Sequence, residues 1–257
     1  MILCLDVGNS NIFGGIFQGS DIKLRFRHDT SHRSTSDQLG VFLRAVLREH
    51  DIDPQKIKQI AISSVVPALD YSVRAACVKY FNVEPFMLKA GVKTGLKINY
   101  RNPLELGADR IANAIAAIHH YPNQYIIIVS FGTATTFCAV SADKTFLGGA
   151  IAPGIRLCMD ALQSNAAKLP PVEIIRALQA VERSTVSGMQ AGLYFGHLGM
   201  VREMILRMTS EMQAEQPPVI IGTGGFVHLF EPEKLFTAVM PDLILQGLYL
   251  AIHLNKK

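Results

Sequence analysis

The sequence predicts an α/β protein made of two copies of one unit, and two segments carry that prediction. Residues 6–17 read Asp6-Val7-Gly8-Asn9-Ser10-Asn11-Ile12-Phe13-Gly14-Gly15-Ile16-Phe17 and follow the apolar run Met1-Ile2-Leu3-Cys4-Leu5. Residues 130–140 read Ser130-Phe131-Gly132-Thr133-Ala134-Thr135-Thr136-Phe137-Cys138-Ala139-Val140 and follow Tyr125-Ile126-Ile127-Ile128-Val129. Each is a buried-type strand, a small polar turn with glycine, and a second apolar strand, which is the pattern of a β-hairpin. Such a tip presents backbone N–H groups and short hydroxyl or amide side chains, and so suits phosphate oxygens. Two tips about half a chain apart imply a nucleotide clasped between related halves, residues 1–117 and 118–257.

The elements follow in order. Strands near 2–6, 12–17 and 22–27 form an antiparallel meander, with turns at Gly8-Asn9 and Gly19-Ser20. Ser36-Asp37 caps a helix whose apolar residues Leu39, Phe42, Leu43, Val46 and Leu47 recur at helical spacing. Residues 58–66 are a buried strand ended by Pro67, a second helix covers 68–81, and Pro85-Phe86-Met87-Leu88 is a short strand. The order β-β-β-α-β-α-β resembles the core of ribonuclease-H-like domains. Asn102-Pro103 opens a turn into an Ala- and Ile-rich helix over 109–120. Beyond Pro122 the meander restarts near 125–130, 136–141 and 145–148, where Gly148-Gly149 and then Pro153-Gly154 interrupt it. Helices are expected near 154–163, 172–181 and 187–213, then a strand from Pro217 into Gly222-Thr223-Gly224-Gly225, and a last helix over 242–254.

At 257 residues the chain has room for a substantial core, and 49% hydrophobic against 18% charged residues describes a compact folded protein. The formal charge of +4 is spread along the chain, too mild to indicate nucleic-acid binding. Cys4, Cys77, Cys138 and Cys158 have no C-x-x-C spacing and read as reduced thiols rather than a disulfide framework. No signal peptide and no apolar run long enough to span a bilayer is visible, so a reducing cytoplasm is the expected setting.

Several chemistries are disfavoured by missing motifs. There is no P-loop, no G-x-G-x-x-G between strand and helix, no metal-spaced His/Cys cluster and no nucleophile elbow. The helix-terminal pair His119-His120 reads as structural. In the first tip, Gly8 lets backbone approach a phosphate, Asn9, Ser10 and Asn11 add donors, and Asp6 at the strand end suits a hydrated Mg²⁺. An ordinary Gly/Asn hairpin turn has the same composition. Asp109, between Gly107 and Arg110, is placed either to accept a proton from a substrate hydroxyl during phosphoryl transfer or simply to cap its helix.

Taken together these blocks resemble type III pantothenate kinases, end to end. The resemblance rests on residues 6–11, Tyr100-Arg101-Asn102-Pro103, Gly107-Ala108-Asp109-Arg110, Gly132-Thr133-Ala134-Thr135-Thr136 and Gly148 through Gly154. It continues through Ser184-Thr185-Val186, Met189-Gln190-Ala191-Gly192, Gly222-Thr223-Gly224-Gly225 and Pro241-Asp242-Leu243. The resemblance implies duplicated ribonuclease-H-like domains of the acetate-and-sugar-kinase/Hsp70/actin superfamily, with ATP in the cleft. By the same resemblance Asp6, Val7, Gly8, Asn9, Ser10, Asn11, Ile12 and Phe13 line the ATP phosphates and Thr133 contacts ATP from the second tip. Tyr100, Gly107, Ala108, Asp109, Arg110 and Thr185 line the pantothenate site, with Asp109 as proton acceptor. A homodimer, Mg²⁺ with ATP, and a monovalent cation such as K⁺ or NH₄⁺ are further implications. One position departs: the family's second tip reads D-x-G-T-A-T-T, and here the aspartate is Ser130. A neutral hydroxyl in place of that carboxylate weakens or removes the monovalent-cation site. It also raises an alternative, a catalytically weakened relative with a regulatory or binding role.

Overall fold

A computed structural model describes residues 1–256. The chain forms two compact units. The first contains residues 1–96 and 101–116 together with the segment from Leu243 on; the second contains 97–100 and 117–242. The sequence-based division at 117/118 therefore differs from these units chiefly in where the C-terminal helix belongs.

The first unit opens with β1 (Ile2–Val7), β2 (Asn11–Gln18) and β3 (Asp21–Asp29), followed by α1 (Ser36–Glu49), β4 (Gln59–Ser64), α2 (Pro67–Phe81) and β5 (Phe86–Met87). Its sheet has the order β3-β2-β1-β4-β5; β1 pairs antiparallel with β2 and parallel with β4. Alternation along β1 divides its side chains between two layers. Leu3, Leu5 and Val7 join Leu39, Leu43 and Leu47 of α1 and Leu69, Val73 and Cys77 of α2 in one core. The other face is covered by α7 (Leu243–Leu254), where Phe17 stacks on Tyr249 at 4.7 Å and Gly15 meets Leu245. Asp6 shares this second face with Ile2 and Cys4, a single carboxylate at the end of an apolar strand.

The N-cap of α1 is Thr35, one residue earlier than expected, because Gln38 completes a capping box with it: Gln38 N–H donates to Thr35 Oγ1 at 3.2 Å and Thr35 N–H to Gln38 Oε1 at 2.9 Å. Pro67 ends no strand; it is the first residue of α2, where its missing N–H costs nothing. A short strand not anticipated from sequence, β6 (Lys97–Ile98), precedes α3 (Ala108–His120).

The second unit repeats the pattern with β7 (Ile126–Phe131), β8 (Ala134–Val140), β9 (Thr145–Pro153), α4 (Ile155–Asn165), α5 (Thr185–Met212), β10 (Val219–Gly224), α6 (Val227–Phe230) and β11 (Ala238–Val239). Its sheet order is β11-β10-β7-β8-β9-β6. Apart from the added edge strand β6, this matches the first sheet strand for strand, with β7 standing where β1 stands. The duplication expected from the two tips is thus present as topology.

Two expectations fail here. Gly148-Gly149 do not break the meander: β9 runs on to Pro153, because a register shift between Ala139 and Val140 absorbs one extra residue and pairing resumes. Residues 172–181 form no helix. Val172 is buried and Ile174 and Ala177 pack partly against the same core, while Leu178 and Val181 stay 87% and 85% exposed. Two anchors hold this extended strap: Gln190 Nε2 donates to Glu173 O at 3.0 Å, and Arg176 pairs with Glu233 at 3.2 Å.

Candidate active site

In the first unit four candidate residues line up in one row across the sheet. Strand register places Ser63 of β4, Asp6 of β1, Phe13 of β2 and Arg27 of β3 side by side. Directly paired residues share a face, so all four stand on the face of Asp6. Arg27 confirms the geometry: its Cζ lies 4.2 Å from the centre of the Phe13 ring. Asp6 Oδ1 and Ser63 Oγ are both buried without a hydrogen-bond partner. Ser63 lies beside the carboxylate but without hydrogen-bond geometry. Burial pushes the Asp6 carboxyl up to about 7, and the negative charge of Asp109 adds to the rise, while the Ser63 hydroxyl and the Arg27 charge pull it down. Buried polar atoms are nearly always satisfied, so an unpartnered carboxylate oxygen held at a strand end marks a place where a ligand atom belongs.

The β1–β2 tip is closed by Gly8 N–H donating to Asn11 O at 3.0 Å. A residue not singled out from sequence braces it. Thr30, just past β3, donates its hydroxyl to Gly8 O at 2.7 Å and its backbone N–H to Ser10 O at 3.0 Å. With two tip carbonyls taken up by Thr30, the loop is held with its acceptors engaged, the arrangement an anion-binding tip requires. Nothing in the sequence marked Thr30, because the signal is a contact over 22 residues rather than a local motif.

Asp109 stands in the first turn of α3. Burial raises its carboxyl above the ordinary value; the backbone N–H and the charge of Arg110 act against that rise. Its placement depends on Gly107, where a Cβ would collide with Asp109 Oδ1. α3 in turn is fixed by α7, which approaches so closely at Gly247 that a Cβ there would strike the Ala112 carbonyl. Asp6 and Asp109 are near enough to interact electrostatically, so one strand end and one helix start converge in the first unit. Arg110 is only 4% exposed, and Asn113, one turn on, is 4% exposed with its Oδ1 unpartnered. Of the residues anticipated from sequence, residues 6–13 and 107–110 all lie in this unit.

The second unit holds the rest. Its tip is closed by Gly132 N–H donating to Ala134 O at 3.1 Å, and Gly154 N–H donates to Thr133 O at 3.1 Å. Thr133 is exposed on that tip, Thr185 is the exposed first residue of α5, and Tyr100 follows β6 with its ring edge-on to Phe146. Ser130 pairs with Thr136 on β8 and Thr223 on β10. Sequence reading also missed His197, which shares a 2.9 Å hydrogen bond with Thr135 beside this tip. Burial lowers the His197 pKa, which favours a neutral ring able to serve that hydroxyl. Among the described residues there is no cluster of three or more His, Cys, Asp or Glu arranged to hold a metal ion. No described helix is long and apolar enough to cross a membrane.

Comparison with known proteins agrees with the resemblance seen in the sequence. The family model described as type III pantothenate kinase matches residues 2–207. A type III pantothenate kinase of Legionella pneumophila is 59% identical over 255 residues, covering 99% of both chains. Among solved structures, a Baf family transcriptional activator from Campylobacter jejuni matches with TM-score 0.61 at 18% identity, over 98% of this chain and 97% of that one. A ROK hexokinase from Thermus thermophilus matches with TM-score 0.53 at 14% identity, over 98% and 99%. At such identities these two similarities show the fold alone, the duplicated α/β arrangement described above.

Proposed function

Because this chain belongs to the type III pantothenate kinase family, we propose that it transfers the terminal phosphoryl group of ATP to the primary hydroxyl of pantothenate, giving 4′-phosphopantothenate and ADP in the first step of coenzyme A synthesis. The observation that carries this reading is the half-buried Asp109 carboxylate, raised in pKa and close enough to Asp6 and the first tip to interact electrostatically with Asp6. Asp109 accepts the hydroxyl proton as the new P–O bond forms and the bond to the ADP oxygen breaks. Its raised pKa suits an acceptor better than an ordinary solvated aspartate. Proton removal is needed only late in a loose phosphoryl-transfer transition state, so even a modest base is adequate.

The Asp6 carboxylate, with its unpartnered Oδ1, fits a hydrated Mg²⁺ arriving with ATP. Bound there, the ion neutralises charge on the phosphates. Residues 7–13 cradle the phosphate oxygens and Gly107, Ala108 and Arg110 line the pantothenate side. Tyr100, Thr133 and Thr185 are assigned to substrate and nucleotide contacts on the resemblance alone. A cytoplasmic homodimer belongs to the same reading, as does the absence of nucleic-acid or membrane partners.

Ser130 favours a second reading, a weakened relative with a regulatory role. A phosphorylation assay with purified protein, ATP and pantothenate, run with and without K⁺, separates the two. Turnover independent of K⁺ supports the kinase with its cation site lost. Negligible turnover that rises strongly in Ser130→Asp supports the weakened relative.

A further inference from the structure

The first tip has a cationic residue that neither the sequence motifs nor the resemblance assigned. Arg27 lies on β3 in register with Phe13 of β2, which is in register with Asp6 of β1. Its guanidinium sits 4.2 Å from the Phe13 ring centre, and among the described residues it has no hydrogen-bond or ion-pair partner. An exposed arginine used only for packing has its stem against apolar surface and its head in water. Arg27 differs: its head lies over a ring that is only 8% exposed, in the same row as an unpartnered carboxylate oxygen and an unpartnered serine hydroxyl. Three residues later on the same chain, Thr30 clasps the tip carbonyls of Gly8 and Ser10. The strand that carries Arg27 therefore also sets the tip.

We propose that Arg27 is a phosphate-binding residue of this site, its guanidinium held over Phe13 with its N–H groups directed to the polyphosphate of the nucleotide bound at the Gly8–Asn11 tip. A planar guanidinium presents paired donors that match two phosphate oxygens, and stacking on an aromatic face leaves those in-plane donors unblocked. It also sets a fixed positive charge beside Asp6, so that the row offers both a cation for phosphate oxygens and a carboxylate for the metal that accompanies them. The inference rests on reading the first tip as the nucleotide phosphate site.

The test measures binding as well as turnover on the full chain. Arg27→Gln keeps a hydrogen-bonding side chain without charge or fork; Arg27→Lys keeps the charge alone. Calorimetry with the Mg²⁺ complex of β,γ-imido-ATP is expected to show affinity about tenfold or more weaker in Arg27→Gln, with Arg27→Lys between that and the parent. In steady-state kinetics the KM for ATP rises while that for pantothenate stays within about twofold. Unchanged analogue affinity in Arg27→Gln overturns the proposal. A rise in pantothenate KM alone also overturns it, reassigning Arg27 to the pantothenate carboxylate. A parent chain that binds the analogue but phosphorylates no pantothenate refutes the substrate assignment, while the Arg27 comparison by calorimetry still stands.

Discussion

Replacing Asp6 by asparagine should stabilise this protein while destroying its activity, and the gain should depend on pH. In the folded chain burial, aided by the nearby Asp109, lifts the Asp6 carboxyl to about 7. In the unfolded chain an aspartate titrates near 3.9. Between those values the folded state holds a proton that the unfolded state has released, so unfolding free energy falls as pH rises through this window. At about 1.4 kcal/mol per pH unit, carrying Asp6 as a carboxylate above pH 7 costs about 4 kcal/mol of stability. Asparagine keeps the shape and has no proton to lose. Urea denaturation in EDTA without nucleotide, from pH 4 to pH 8.5, measures the difference between Asp6→Asn and the parent, in which titrating groups not coupled to Asp6 cancel and the coupled Asp109 is included. The two should be nearly equal near pH 4, with the variant ahead by up to about 4 kcal/mol above pH 7. A variant that gains nothing between pH 5 and 8, or gains equally at all pH values, refutes the assignment of Asp6 as a strained, ligand-awaiting carboxylate. Adding Mg²⁺ and ATP should narrow the gap by stabilising only the parent.

Three further substitutions test the parts around it. Asp109→Asn removes the proton acceptor, and kcat should fall about 10²- to 10⁴-fold with both KM values little changed; a variant that turns over like the parent removes Asp109 from the chemistry. Thr30→Val deletes one 2.7 Å hydrogen bond to the tip but keeps the backbone bond to Ser10. Since one such bond contributes about 1 kcal/mol, the KM for ATP should rise about fivefold with the pantothenate KM unmoved, as steady-state kinetics would show. Gly107→Ala forces a Cβ against Asp109 Oδ1; displacement of the base by about 1 Å should lower kcat about 100-fold, while circular dichroism shows a folded protein.

How far the sequence carries depends on the range of the interactions involved. The two hairpins were legible because strand pairing and a glycine turn are local, and the register Asp6 to Phe13 follows from the loop itself. Capping misled by one residue at Thr35, where Ser36 and Asp37 are chemically as apt and only the Gln38 side chain decides. The strap at 172–181 was misread because its rhythm fits either period until Arg176 and Glu173 find partners from elsewhere in the chain. At the site, Asp6, Gly8 and Asp109 were visible as motifs. Arg27 and Thr30 were not, since their meaning lies in the lateral alignment of three strands, which no spacing along the chain reveals.

The duplication gives Ser130 a physical context. In sheet order and in place along its strand, Ser130 of β7 corresponds to Asp6 of β1. The first row reads Ser63, Asp6, Phe13, Arg27 across its sheet; the second reads Thr223, Ser130, Thr136, Ile151 across its own. One row carries a carboxylate and a guanidinium, while the other is neutral. A carboxylate at 130 would stand beside a tip proposed to meet phosphate, and two anions in that arrangement need a cation between them. Serine would supply neither that negative charge nor the repulsion, so an ion between the two would no longer be needed. On this argument the natural chain turns over equally well in Na⁺ and K⁺ buffers, and Ser130→Asp gains no speed in Na⁺ but becomes dependent on K⁺. A natural chain stimulated severalfold by K⁺ would show that the hydroxyl row binds the ion by itself, and the compensation argued here would be wrong.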